Sequence, residues 1–414
     1  WRWRWRQLGW PVVKSGADFV VVGAGIVGLS IANELRARFA DASVVVLDKE
    51  DRVALHASGR NSGVLHAGFY YSPDSLKARL TRRGNELLKQ FCAEHAVEVR
   101  SCGKVVVATS PDQLPDLDRL YQRGVANGVE LEHIDEAQLA ELEPLARTCE
   151  RALWSPTTAV ADPVAVTRAM AAELRRRGGE LVTDAQVVGR FEGGLQTTTG
   201  RWHAGHVVNA AGLYADRIAA LFGFCDDYAV LPFKGLYWYS SWPKGRLRRH
   251  VYPVPDPRNP FLGVHLTVTA DGGSKLGPTA IPAMRREDYG RYPGFSLTES
   301  TQIAKLYPTF LRSDHHDAAA LVRSEVPKYN RRLLVEQCRA LVPSVDQRDF
   351  RTRGRPGVRA QLIELATGRL EMDFVVRGDA ASTHVLNAVS PAWTSSLAAA
   401  EYVVDQIASP DGRS

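Results

Sequence analysis

The chain has 414 residues, 45% of them apolar and 24% charged, and a formal net charge of +6. That length and apolar content suit two or three domains with a large core. The lack of an 18-residue apolar run and of a charged-then-apolar leader excludes a membrane span or signal peptide from the expectations, as five scattered cysteines without a CxxC exclude zinc or a disulfide framework. No metal is expected. The mild, dispersed basicity suits an anionic small molecule or an anionic membrane surface better than nucleic acid.

The first six residues alternate Trp and Arg. On a strand this puts Trp on one face and Arg on the other, a pattern that can adsorb to anionic lipid; a disordered tail is the preferred reading. The stretch Asp18–Asp48 then organises the chain. An apolar run, Phe19–Val22, enters Gly23-Ala24-Gly25-Ile26-Val27-Gly28, continues as a helix to about Arg38 and re-enters an apolar run, Ser43–Leu47, that ends in Asp48. This is strand, glycine turn, helix, strand and acid, the fingerprint of a dinucleotide site. Gly23 permits the turn, Gly25 admits a pyrophosphate, and Gly28 lets helix pack on sheet. The helix N-terminus faces the phosphates, and Asp48 can accept ribose hydroxyls. The fingerprint alone leaves FAD and NAD open.

Residues 56–71, HASGRNSGVLHAGFYY, are too rich in Gly, Ser and Asn for a regular element. They suit a loop lying close to a flat ligand. A helix capped by Ser72, with Pro73 at its first position, is predicted next. A strand follows at 102–108, two amphipathic helices span 112–144, and a helix starts at Asp162-Pro163. Strands are predicted at 180–183, 186–188 and 206–212, with a helix from about Tyr214. From Leu231 short strands separated by Gly and Pro read as an antiparallel sheet, with helices near 297–311 and 328–341. Strand, loop and helix return from Gly357 to about Ile407.

The expected fold is therefore α/β. A Rossmann-like domain is discontinuous in sequence (17–98, 150–230 and 346–410), and an antiparallel sheet with helices forms an inserted substrate domain (99–149 and 231–345). Residues 1–16 are the expected tail. A C-terminal return to the nucleotide domain is typical of large flavoproteins, which favours FAD.

At 56–71 the chain resembles the FAD-dependent L-2-hydroxyglutarate dehydrogenases/oxidases of the D-amino-acid-oxidase-like superfamily. The resemblance runs from about Asp18 to about Asp405. It is carried by SGRNSGVLHAGFYYSPDSLKARL (58–80), SCGKVVVAT (101–109), VVNAAGLYADRIA (207–219), LPFKG (231–235), YPVPDPRNPFLGVHLT (252–267), LGPTA (276–280), PGVRAQL (356–362) and NAVSPAWTSSLA (387–398). Three positions depart from the family: Asp48 replaces glutamate, Val389 replaces proline and Trp393 replaces a small alanine beside the expected flavin pyrimidine.

The resemblance implies oxidation of L-2-hydroxyglutarate to 2-oxoglutarate, with hydride passing from C2 to flavin N5. Such a site needs a base, cations for two carboxylates and donors for charge on the reduced flavin. His66 is the first candidate base and His265 its rival. Arg359 is the carboxylate clamp. Lys104, Lys234 and Tyr252 are further substrate contacts, and Tyr71 is a pocket wall. Cofactor contacts are expected from Gly23, Gly25, Gly28, Asp48, Ser62, Gly63, Val187, Ala211, Gly212 and Gly357. Ser395 and Ser396 are expected to aim N–H donors at flavin O2. A related flavin enzyme acting on an amine or on glycerol 3-phosphate is the alternative, kept open by Trp393. The electron acceptor is oxygen, a quinone or an electron-transfer protein. The expected location is cytoplasmic, with peripheral attachment to the inner face of the membrane left open.

Overall fold

The computed structural model describes residues 14–257, 259–290, 296–315, 317–388 and 390–408. The expectations for the Trp/Arg start and for Val389 lie outside these residues. Strand β1 (Lys14–Val22), helix α1 (Ile26–Arg38) and strand β2 (Val44–Leu47) form the predicted βαβ unit. β1 begins three residues into the expected tail, because Lys14–Gly16 pair with Arg201–His203. The apolar runs are continuous because both faces of the sheet are covered. Val21, Val44 and Val46 pack beneath α1, whereas Val20, Val22, Val45 and Leu47 pack on the opposite face.

This sheet has eight strands among the described residues. Its order is 187–191, 194–197, 200–209, β1, β2 and 180–182, and strands 382–387 and 375–378 branch from 200–209. Its centre is parallel: β1 with β2, and β1 with 200–209. Helix α2 (Leu76–Glu94) and the final helix, Ala392–Ala408, lie over the face that α1 covers. α1 is buried almost all round because it is wedged among its neighbours; Leu29, Ile31 and Leu35 are fully buried. Each such side chain stabilises the fold by about 1.5–3 kcal/mol.

A second eight-stranded sheet runs 352–353, 238–239, 274–277, 265–268, 250–253, 104–107, 151–155, 132–135. It is antiparallel except where His250–Pro253 runs parallel to Lys104–Val107. A small sheet pairs Tyr228–Gly235 with Gly357–Glu364 and sets Gly235 opposite Gly357.

Three details correct the expectations. α2 starts at Leu76 behind the Ser75 cap, since Ser72 and Pro73 lie in the preceding turn. Residues 112–144 hold two helices with an intervening strand, Glu132–Asp135. Strands Arg151–Ser155 and Thr352–Arg353, expected in the discontinuous Rossmann-like domain, both join the second sheet.

Candidate active site

One cavity of about 1200 Å³ is lined by both large sheets and by the small one. The glycine turn forms part of its wall. Gly23 has φ +106°, and a Cβ there would sit 2.6 Å from the Ala210 carbonyl oxygen. A Cβ on Gly28 would sit 2.0 Å from the Gly23 oxygen. Both positions therefore need glycine, the first for conformation and the second for close packing. The turn already attracts acceptors: Ala24 N–H donates to Asp48 Oδ2 at 2.6 Å and Ile26 N–H to Ser58 Oγ at 2.8 Å. A helix start that gathers oxygens in this way suits a pyrophosphate. Gly25, Asp48, Ser62, Val187, Ala211, Gly212 and Gly357 line the same cavity. Gly357 cannot carry a side chain, because its Cβ would meet Arg60 O at 2.3 Å. The volume, the glycine cradle and the acceptors at the helix start together fit a dinucleotide.

Gly63, Ser395 and Ser396 stand apart from this lining. Gly63, with φ +75°, lies against the Ala161 carbonyl, where a Cβ would approach to 2.3 Å. The Ser395 N–H is engaged by Pro391 O at 3.1 Å, and both serines are fully buried. The expectation that they aim donors into the site is corrected. Thr394 reaches the cavity in their place. Its hydroxyl donates to Val64 O at 3.0 Å and accepts from His66 N–H at 3.2 Å. Asn85 Nδ2 donates to His66 O at 3.2 Å, so the His66 backbone is fixed from both sides. Trp393 also lines the cavity, but it is only 8% exposed and packs into the core under the first sheet. Its bulk is largely absorbed there.

His66, Tyr71, Tyr252, His265 and Arg359 all line the cavity. The His265 ring stacks on Tyr252 with centroids 3.8 Å apart and planes at 20°. The His66 ring meets the same tyrosine edge-on at 6.4 Å. His265 Nδ1 lies 2.8 Å from Gly263 O. A carbonyl only accepts, so the proton sits on Nδ1 and Nε2 carries the lone pair. Burial holds His265 down to about 3, and it also holds His66 well below the ordinary histidine value. Both rings are therefore neutral at pH 7. The Arg359 guanidinium stands 5.1 Å from the Phe261 ring centroid and has no carboxylate partner among the described residues. Burial raises the Tyr71 phenol, and Tyr71 is a wall rather than an acid.

Two expected substrate contacts lie elsewhere. Lys234 Nζ is paired with Asp288 at 2.9 Å, outside the cavity lining. Lys104 is fully buried behind the wall, within 4.4 Å of the Phe69 and Tyr70 ring centroids and 4.8 Å of that of Tyr252. Its Nζ has no hydrogen-bond partner among the described residues, and burial pulls its proton affinity well below that of an ordinary lysine. Sequence reasoning missed Lys77, which is 4% exposed and lines the cavity from α2. A signal was present: Lys77, Thr81, Gly84, Asn85, Leu88 and Cys92 recur at helical spacing and form a buried stripe.

Residues 18–406 match the FAD dependent oxidoreductase (DAO) family. The chain is 36% identical to the mitochondrial L-2-hydroxyglutarate dehydrogenase of Caenorhabditis elegans, over 94% of this chain and 92% of that protein. It is 35% identical to an Escherichia coli L-2-hydroxyglutarate dehydrogenase, over 94% and 93%. Among solved structures, the FAD-bound L-alpha-glycerophosphate oxidase of Mycoplasma pneumoniae superposes with a TM-score of 0.74 at 22% identity, covering 95% of each chain. At that identity the superposition establishes the fold. The glycine cradle, the split α/β architecture and the match over nearly the whole described chain place this protein in the DAO family of FAD-dependent oxidoreductases.

Proposed function

We propose that the chain oxidises L-2-hydroxyglutarate to 2-oxoglutarate. The observation that carries this reading is a guanidinium without a carboxylate partner among the described residues, Arg359, that lines the same cavity as a neutral imidazole of fixed tautomer, His265, and the dinucleotide cradle. The names of the curated relatives supply the substrate. When bound, FAD supplies the hydride acceptor. Arg359 binds the C1 carboxylate through paired N–H donors and so orients C2. His265 Nε2 accepts the C2 hydroxyl proton, while Gly263 O and the Tyr252 ring hold the imidazole in place. His66 is the second imidazole on the substrate and hydrogen-bonds it. Both rings gain proton affinity when a dianion enters, because its charge offsets the cost of desolvation.

The test is anaerobic reduction of the purified flavoprotein. L-2-hydroxyglutarate is expected to bleach the flavin, and D-2-hydroxyglutarate, glycerol 3-phosphate and glycine are not. Bleaching by the amine or the phosphate ester, or a protein that holds no flavin, would falsify the reading. Oxygen, a quinone or an electron-transfer protein then takes the electrons; reoxidation rates with air, a short-chain quinone and an electron-transfer flavoprotein identify which.

A further inference from the structure

A five-carbon dicarboxylic acid presents two anions, and Arg359 accounts for one. The other cations that were expected are engaged or hidden: Lys234 by Asp288, and Lys104 by its aromatic cage. At the cavity wall Arg119 is paired with Asp116 and Arg369 with Glu371. Arg123 turns to the Tyr70 carbonyl at 2.8 Å.

Lys77 is different. Its Nζ donates to Met372 O at 2.6 Å and lies 5.1 Å from the Tyr71 ring centroid. An ammonium has three donors, and no carboxylate pairs with this one among the described residues. The nearby Asp373 is committed elsewhere, because its oxygens accept from the backbone N–H groups of Leu76 and Lys77 at 2.9 and 2.8 Å. Burial lowers Lys77 to about 8; Asp373 acts against this and the Arg359 charge adds to it. Two cations that repel across one cavity, neither with a carboxylate partner, make a site for a doubly charged ligand.

We propose that Lys77 is a specificity-determining residue that binds the distal carboxylate of the dicarboxylic acid whose C1 carboxylate Arg359 holds. This rests on the substrate reading above. The test compares calorimetric binding of 2-oxoglutarate and 2-oxopentanoate, which differ only in the distal carboxylate, to the flavin-loaded enzyme. Wild type is expected to prefer 2-oxoglutarate, and Lys77→Gln, whose amide can still donate to Met372 O, to lose that preference by 10-fold or more. Lys77→Arg, which keeps the charge, should retain part of it. An unchanged preference in Lys77→Gln, or an equal loss for both acids, would overturn the proposal. A second arm needs no variant: the wild-type preference should decline toward alkaline pH as Lys77 loses its proton. Reduction by L-2-hydroxyglutarate with a preference untouched in Lys77→Gln sinks the site alone. A Lys77-dependent preference without reduction by L-2-hydroxyglutarate sinks the substrate reading and leaves the dicarboxylate site standing.

Discussion

At His265 a single carbonyl decides where the proton sits. Gly263 O, 2.8 Å from Nδ1, leaves Nε2 as the only acceptor on the ring. His66 lacks such a partner among the described residues, since its Nδ1 is buried and unsatisfied. His265→Gln is therefore expected to slow anaerobic flavin reduction by about 100-fold or more, the usual range for a lost general base, and His66→Gln by less. Stopped-flow reduction at saturating substrate measures both, and the reverse order would exchange their roles. Arg359→Met is expected to act on affinity. Losing a charged pair of hydrogen bonds costs about 1.5–3 kcal/mol, or roughly 10- to 100-fold in substrate Kd. Lys104 gives the opposite expectation. Its protonated form is disfavoured where it stands, and Lys104→Met places an apolar chain among three rings. A buried amine without a hydrogen-bond partner costs about 1–3 kcal/mol, and the methionine chain removes that cost, so the thermal midpoint of this variant should rise.

At the scale of elements, the crossing of α2 and the final helix positions the cavity wall. Gly84 makes the crossing close: a Cβ there would lie 2.4 Å from Thr394 O and 2.7 Å from Ser395 Cα. Gly84→Ala must push the final helix away, which moves Thr394 off His66 and Trp393 out of its core position. Overpacking of this kind costs about 1–3 kcal/mol, and the variant should bind FAD more weakly. Flavin content after gel filtration and the thermal midpoint read both effects; a fully loaded variant of normal stability would show that the crossing can relax. This contact was not legible in the sequence, because nothing local announces which backbone Gly84 approaches. The glycine turn at 23–28 was legible, because its chemistry is complete within one βαβ unit. Strand Glu132–Asp135 was hidden: only Ile134 of its four residues is buried, so an exposed edge strand carries no alternating pattern. Arg151–Ser155 was grouped with the nucleotide domain because its partners, 104–107 and 132–135, are fixed by tertiary pairing. That His66, His265 and Arg359 face one cavity was legible through family resemblance, whereas the burial of Lys104 and the pairing of Lys234 with Asp288 depend on neighbours distant in sequence.

Over the whole molecule, the second sheet buries titratable groups in their neutral forms, and this makes stability depend on pH. His250 and His265 are both held by burial at about 3, against an ordinary 6.5. His250 Nδ1 accepts from Val268 N–H at 3.1 Å, and its Nε2 stands 3.1 Å from Cys102 Sγ, so the neutral ring is satisfied. As pH falls below 6.5 the unfolded chain takes up protons at these histidines and the native chain does not. Their contribution is complete above pH 6.5 and is lost progressively as pH falls toward 3. Lys104 extends the same trend upward: its depressed affinity leaves the unfolded chain binding more protons until pH approaches the ordinary 10.5. The buried tyrosines reverse the slope above about pH 10, since burial raises Tyr70, Tyr71 and Tyr252 and only the unfolded phenols ionise there. The thermal midpoint of the flavin-loaded enzyme should therefore climb from pH 5 through neutrality and peak on the alkaline side. His250→Gln should flatten the limb between pH 5 and 6.5, and Lys104→Met the limb between pH 7 and 10. A midpoint that peaks near pH 6 in wild type, or limbs unchanged in these variants, would show that surface charge governs the profile and the buried groups do not.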